Sequence, residues 1–408
     1  MEIYTLKVIL AKCKIMGYTI PMIKRTAELA AKRIFSKYPV LTITGPRQSG
    51  KTVLAKAAFP GREYVNLESP EARLLAEEDP KSFLGRFPKG AIIDEAQRVP
   101  ALLSYIQVAV DEKNKNSLFV LTGSNQTNLL SSVSQSLAGR TGILKLLPFS
   151  LEELAPKYAP KSKAGLLYAG FYPRIYDKRI NPTMFLSDYF ETYILKDARQ
   201  TANIKDLRLF TRFVKLCAGR TGQILNMAGL ASDTGISHTT AKSWLSALEA
   251  GYILFFLNPY HENISKRLVK SPKIYFYDAG LASYLMGIRS MKEIENHPMT
   301  GHLYETMAVA ETMKYLNNRG LKNEIFFLKD NSNLEIDLLI KGKDGLVPVE
   351  IKSGGTLNRD FFRNFAIYRK NLPFSKGILV YSGQELSETK EITITNHFNL
   401  HKTLEGIL

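Results

Sequence analysis

The sequence predicts an α/β fold, a parallel sheet covered by helices on both faces, followed by two smaller modules. Three stretches predict it. The apolar run Val40–Thr44 enters a glycine-bounded loop and then a helical Val53–Ala58. A second apolar run, Gly90–Asp94, ends in the acids Asp94 and Glu95, and a third, starting at Ser117, ends in the small polar residues Thr122-Gly123-Ser124-Asn125. Near-continuous apolar runs alternating with helical stretches are the pattern of strands buried on both faces.

The loop after the first strand is Gly45-Pro46-Arg47-Gln48-Ser49-Gly50-Lys51-Thr52, a G-x-x-x-x-G-K-[ST] phosphate loop between a strand and a helix. Gly45 and Gly50 let successive backbone N–H groups turn toward phosphate oxygens, and the helix dipole aims at the same anion. Lys51 can reach the β- and γ-phosphates of ATP, and the Thr52 hydroxyl can ligate Mg²⁺. Asp94 is placed to hold the Mg²⁺ shell, and Glu95 to orient and deprotonate the attacking water. Ser124 is the choice for a γ-phosphate or water contact, with Thr122 and Asn125 close behind. Arg140, between glycines in Ser136-Leu137-Ala138-Gly139-Arg140-Thr141-Gly142, can meet a phosphate in cis or across a subunit boundary, or can be a solvated surface arginine.

Length and charge bound the remainder. The 408 residues imply two or three domains. A net charge of +17, from 55 basic and 38 acidic residues, favours a polyanionic partner, DNA before any membrane, or simply a soluble basic surface. Cys13 and Cys217 are too few for a disulfide framework or a zinc cluster. Met1–Ile20 carries Lys7, Lys12 and Lys14 rather than a long uncharged run, and no stretch approaches the ~18 apolar residues of a membrane span. The expectation is a cytoplasmic protein without a membrane partner, with a protein partner and self-association left open.

In chain order, residues 1–20 carry no clear signal, and Lys24–Lys37 has helical spacing. Glu63–Leu67 reads as a strand, Pro70–Gly85 as a polar helix, Ile143–Leu147 as the last strand of the sheet and Phe149–Leu154 as the opening of a helix. Pro156–Lys163 is a proline- and lysine-rich linker or lid. Thr183–Arg220 is helical and basic (Lys196, Arg199, Lys205, Arg208, Arg212, Lys215, Arg220), able to follow a phosphate backbone or to be a solvated face.

Gly222–Pro259 reads as a helix-turn-helix with a wing. Met227–Thr234 is one helix, Gly235-Ile236 the turn, and Ser237 the cap of a second helix, Thr239–Ala250. His238, Thr239, Thr240, Lys242 and Ser243 lie at its start, where a recognition helix meets bases or phosphates. Tyr252–Leu257 and Lys273–Tyr277 make the wing, with Lys266, Arg267 and Lys270 at its tip. Such modules also dock proteins.

A second constellation follows. Gly301–Leu316 is an amphipathic helix bearing Glu305 and Glu311, and Glu324–Leu328 a strand ahead of a turn at 330–333. Leu334–Ile340 then carries Asp337, and Leu346–Ser353 carries Glu350 and Lys352, which period-two alternation puts on one face. Two carboxylates there can hold a divalent metal while the lysine orients a water against a phosphodiester. The alternative is a salt-bridged sheet face. Gly377–Tyr381 is a further strand and Gly383–Lys390 a loop.

These residues resemble a bacterial and archaeal family of AAA-type P-loop ATPases with a C-terminal domain of uncharacterised function. The resemblance runs from about Ile20 through the Gly45–Thr52 loop, Ile93–Gln97, Leu121–Ser124, Leu137–Arg140, Arg220–Gln223, Lys266–Lys273 and Tyr277–Leu281. It implies an AAA-type domain over 21–155, a linker and basic helical segment over 156–220, and a winged helix over 221–285. Residues 286–408 would be a PD-(D/E)xK, restriction-endonuclease-like domain. In that superfamily the acids matching Asp337 and Glu350 hold metal, the position of Lys352 is catalytic, and Glu305 matches a helix acid of some branches. The departure is Ile336 where a proline often stands. The implied activity is ATP hydrolysis on or near DNA with a metal-dependent nuclease, or an ATP-driven switch or loader with a non-catalytic binding module.

Overall fold

The structure is a computed structural model. It describes residues 22–408 except 125, 197, 199–203, 261–270, 330–334, 344, 370–373 and 375, and before them only the backbone at 14–15 and 18–19. The expectations at Asn125, Arg199, the turn at 330–333 and the wing tip (Lys266, Arg267, Lys270) therefore lie outside the described residues.

The first sheet has five parallel strands in the order Glu63–Asn66, Ala91–Asp94, Phe119–Gly123, Val40–Thr44, Thr141–Lys145. Parallel neighbours need crossover connections, and helices supply them, Lys51–Ala58 and Leu102–Lys113 among them. Val40–Thr44 and Phe119–Gly123 are buried at every position, as central strands covered on both faces must be. Their shared carboxyl edge is where the loop, Asp94, Glu95 and Ser124 gather.

Local departures from the sequence reading have physical causes. The stretch Pro70–Gly85 is two helices, Pro70–Glu78 and Pro80–Gly85. Pro80 cannot continue the first, and Asp79 caps the second by accepting from Ser82 N at 3.0 Å. Helix Leu102–Lys113 escaped the sequence reading. The last strand is Thr141–Lys145, two residues earlier than expected, because register with Val40–Thr44 is set across the ladder. The basic stretch is divided between helices Pro182–Tyr189, running on as a wider turn to Ile194, and Leu207–Ala218.

Helices Leu207–Ala218, Met227–Thr234 and His238–Ala250 pack beside a three-stranded antiparallel sheet, Gln223–Ile224, Lys273–Phe276 and Leu254–Leu257. Ser237 caps the last helix as expected, accepting from Thr240 N at 3.1 Å. The third sheet has six strands in the order Ile325–Lys329, Glu335–Gly342, Gly345–Lys352, Gly377–Tyr381, Ile392–Asn396, Ser387–Glu388. The last of these lies in the expected Gly383–Lys390 loop.

Helix Thr300–Asn318 covers the expected Gly301–Leu316 helix but is not amphipathic. It is buried nearly all round from Leu303 onward and belongs to one continuous apolar core with the strands of the three-stranded and six-stranded sheets. No helix among the described residues is long and apolar enough to cross a membrane.

Candidate functional site

Gly45 has φ +149° and Gly50 φ +91°, values only glycine adopts without strain. At Gly45 the reason is also one of space, since a Cβ would run into the Leu146 carbonyl. Lys51 is buried, its ammonium donating to Gly45 O at 2.9 Å and Pro46 O at 2.7 Å across the loop it serves. Gln48 and Ser49 sit at the turn, Gln48 at φ +60°. Thr52 Oγ1 donates to Asp94 Oδ2 at 2.8 Å, which joins loop and second strand as the motif requires. Hard oxygen donors of this kind suit Mg²⁺, so the two residues fit the ion expected there.

Asp94 and Glu95 diverge because Glu95 has φ +56°. That left-handed backbone at a non-glycine residue costs about 1–3 kcal/mol and clusters at working sites. Asp94 faces the loop, accepting from Thr52, Tyr64 Oη at 2.8 Å and Thr122 Oγ1. Glu95 turns to the next strand, where Ser124 Oγ donates to Oε2 at 3.2 Å and Gln97 Nε2 to the same oxygen. The structure thus brings Lys51, Thr52, Asp94, Glu95 and Ser124 together.

It does not bring Arg140. Arg140 opens the Thr141–Lys145 strand at its amino end, opposite the loop, and grips Asp111 with bonds of 2.6 and 2.8 Å. Four residues of strand at about 3.3 Å each separate it from the carboxyl edge. A contact from Arg140 to a phosphate on its own loop is ruled out by that placement.

Several residues at the site escaped the sequence reading. Tyr64 and Gln97 orient the two acids, and Gln97 stood legible two positions after Glu95. Arg25, 6 % exposed, braces the loop from beneath. Its guanidinium donates to Ser49 O at 2.5 Å, Leu147 O at 2.8 Å and Glu153 Oε1 at 2.9 Å. A small cavity beside the loop is lined by Arg47, Ser124, Tyr189, Tyr193, Leu248 and Ile253. The sheet, the basic helical segment and the module of helix His238–Ala250 with strand Leu254–Leu257 therefore converge at the loop's mouth. Tyr189 Oη donates to Arg47 O at 3.4 Å, and the Arg47 guanidinium lies 5.5 Å from the Tyr193 ring centre.

The C-terminal acids are engaged by cations and amides of the chain itself. Lys352 Nζ lies 2.7 Å from Glu350 Oε2 and 3.3 Å from Asp337 Oδ2. Asp337 Oδ2 also accepts from Ile351 N at 2.8 Å, and Glu350 Oε1 from Asn364 Nδ2 at 3.1 Å. Glu305 is turned to Lys273 Nζ at 2.9 Å and Tyr275 Oη at 2.5 Å. Among the described residues no group of three or more His, Cys, Asp or Glu side chains is arranged to hold a metal. Asp337, Glu350 and Lys352 lie together as the sequence reading placed them, ion-paired among themselves, while Glu305 stands apart from them on Lys273 and Tyr275. Burial, then the Asp337 charge, pushes the Glu350 carboxyl up, and burial does the same for Glu305.

Residues 37–155 match the AAA domain family, and residues 162–292 and 300–400 each match a domain of unknown function. An uncharacterised protein of Mycobacterium tuberculosis is 28% identical over 379 residues, covering 90% of this chain and 82% of its own. A protein of Haemophilus influenzae, also uncharacterised, is 24% identical over 280 residues, covering 61% and 69%. Among solved structures, a Walker-type ATPase of Pyrococcus abyssi is 16% identical with a TM-score of 0.43, covering 64% of this chain and 94% of that one. DnaA of Aquifex aeolicus bound to AMPPCP is 14% identical with a TM-score of 0.29, covering 57% and 90%.

Proposed function

Proceeding from residues 37–155 as an AAA-type P-loop domain, we propose that the protein hydrolyses ATP and uses it to switch the position of its winged-helix module on DNA. One observation carries the reading: Lys51, Thr52, Asp94, Glu95 and Ser124 converge at one sheet edge, with the acids oriented by Thr122, Tyr64 and Gln97. The loop amides and Lys51 bind the triphosphate, and Thr52 with Asp94 holds Mg²⁺, which when bound neutralises charge on the β- and γ-phosphates. Glu95 orients the attacking water and takes its proton. Ser124 reports the γ-phosphate to Glu95.

The switch follows from what faces Ser124. Leu248 and Ile253 come from the winged-helix module and Tyr193 from the basic helical segment, so a change at the γ-phosphate alters their seat on the sheet. DNA as the target is supported by the +17 charge and by the exposure of His238, Thr239, Lys242 and Ser243 at the start of the second helix of the pair. Arg140, exposed on the rim, is left to act on the loop of a second copy, which would make the working form a homo-oligomer. The C-terminal domain is read as a non-catalytic binding module.

ATP turnover with and without single-stranded, duplex and branched DNA tests the proposal, with stimulation by one of them expected. Salt-sensitive retention of DNA that Lys242→Glu weakens is the second expected result. Turnover indifferent to every DNA, with no retention, would leave an ATPase serving a protein partner. DNA nicking under Mg²⁺ or Mn²⁺ that Lys352→Ala abolishes would restore the nuclease reading.

A further inference from the structure

Two acids of the C-terminal module, Glu305 and Glu335, are met by a cation from another module. Lys273 begins the central strand of the three-stranded winged-helix sheet, yet its side chain is only 2 % exposed. Its ammonium crosses to Glu305 Oε1 at 2.9 Å on helix Thr300–Asn318 and to Glu335 on the first long strand of the six-stranded sheet. Tyr275, two residues along the same face of the strand, donates to the same Glu305 oxygen at 2.5 Å. The charges alternate onward. Glu335 also takes Lys329 Nζ at 2.7 Å, and Lys352 sits between Asp337 and Glu350.

A fully buried ammonium carries a large desolvation cost, recovered only where carboxylates meet it at close range. Lys273 has that company on two elements of the neighbouring module at once. A second, independent contact joins the same two modules at the same place. Tyr260 N donates to Phe327 O at 2.8 Å and Phe327 N to Asn258 O at 3.1 Å. The chain leaving strand Leu254–Leu257 thereby pairs with the edge strand Ile325–Lys329 of the six-stranded sheet. Lys273 stands opposite Leu257 in register, beside that junction, with its Nζ 5.6 Å from the Phe327 ring centre.

We propose that this cluster is an ion-paired seam, with Lys273 as its cation, and that it fastens the winged-helix module to the C-terminal sheet as one body. Glu305 and Glu335 then serve attachment and register, since a charge must find its partner before the seam can close. The winged-helix and C-terminal modules consequently move together relative to the P-loop domain. Helix Thr300–Asn318 takes the seam at Glu305 toward the loop's underside, where Asn318 Nδ2 meets Glu153 Oε1 at 3.5 Å.

The test uses the full chain without nucleotide, so its failure would leave the ATP reading untouched. Mn²⁺ titration followed by electron paramagnetic resonance is expected to give the same stoichiometry for wild type and for Glu305→Gln. A stoichiometry that falls by one in Glu305→Gln would overturn the proposal. Lys273→Met is expected to lower the melting temperature by on the order of 10 °C. Adding Glu305→Gln to it should recover part of that drop, because the stranded carboxylate is gone. Lys273→Met melting with wild type, or a double variant no better than the single, would overturn it equally. Where Lys273→Met yields no folded protein, the comparison of the double variant with Glu305→Gln alone reads the same pairing, and equal melting of those two would refute it.

Discussion

Arg25→Ala probes the brace beneath the phosphate loop. Arg25 is one half of a buried pair, 2.9 Å from Glu153, and its other two bonds hold Ser49 O and Leu147 O. Removing one partner of a buried pair costs about 3–5 kcal/mol. Glu153 keeps Thr26 N at 2.8 Å and Ser150 N at 2.9 Å, which places the cost at the low end, about 3 kcal/mol. At about 2–4 °C per kcal/mol for a domain of this size, melting falls by roughly 10 °C. The Ser49 carbonyl loses a charge-assisted bond of about 1.5 kcal/mol, so KM for ATP rises about tenfold. Turnover at saturation changes less, because Glu95 and Ser124 stand on other strands. Arg25→Lys restores a charge to Glu153 but not the fork that reaches both carbonyls, so it regains melting temperature without regaining KM. Calorimetry and steady-state kinetics on the three proteins decide the matter. An alanine variant that melts within about 2 °C of wild type with an unchanged KM would refute the reasoning.

Lys51→Ala is expected to abolish ATP binding by calorimetry, and Glu95→Gln to bind ATP without turning it over; unchanged turnover in the latter removes Glu95 from its role. Arg140→Ala should leave melting unchanged, since its pair with Asp111 is exposed. If Arg140 serves a second copy, turnover falls, and mixing with Lys51→Ala restores part of it. His397 lies 3.1 Å from Tyr304 Oη, and burial, with Lys163 adding to it, pushes the imidazole down to about 4. The unfolded chain binds the proton first, so stability is lost as pH falls from about 6.5 toward 4, on the order of 2 kcal/mol by pH 4.5. Urea unfolding of His397→Gln at pH 7 and 4.5 should lack that loss; an equal loss in both proteins would refute it.

By itself the sequence determined the elements whose chemistry is local. The order strand, Gly45–Thr52 loop, helix is legible because a phosphate cradle needs glycines, a lysine and a hydroxyl at fixed spacing along one turn of chain. Asp94 and Glu95 were legible for the same reason, as was the Ser237 cap, whose partner Thr240 lies three residues away. Tertiary structure decided whatever depends on which ends of strands and which modules meet. Arg140 and Lys145 close opposite ends of one five-residue strand, so a glycine-flanked arginine that reads as a phosphate contact lies on the far edge. Glu350 and Lys352 share a face as alternation foretold, with Asp337 of the neighbouring strand beside them, but alternation is silent on what approaches that face. Lys273, remote from Glu305 and Glu335 in sequence, arrives there only through the packing of one sheet on another. A carboxylate's role is set by the cation that reaches it, and that cation is chosen in three dimensions.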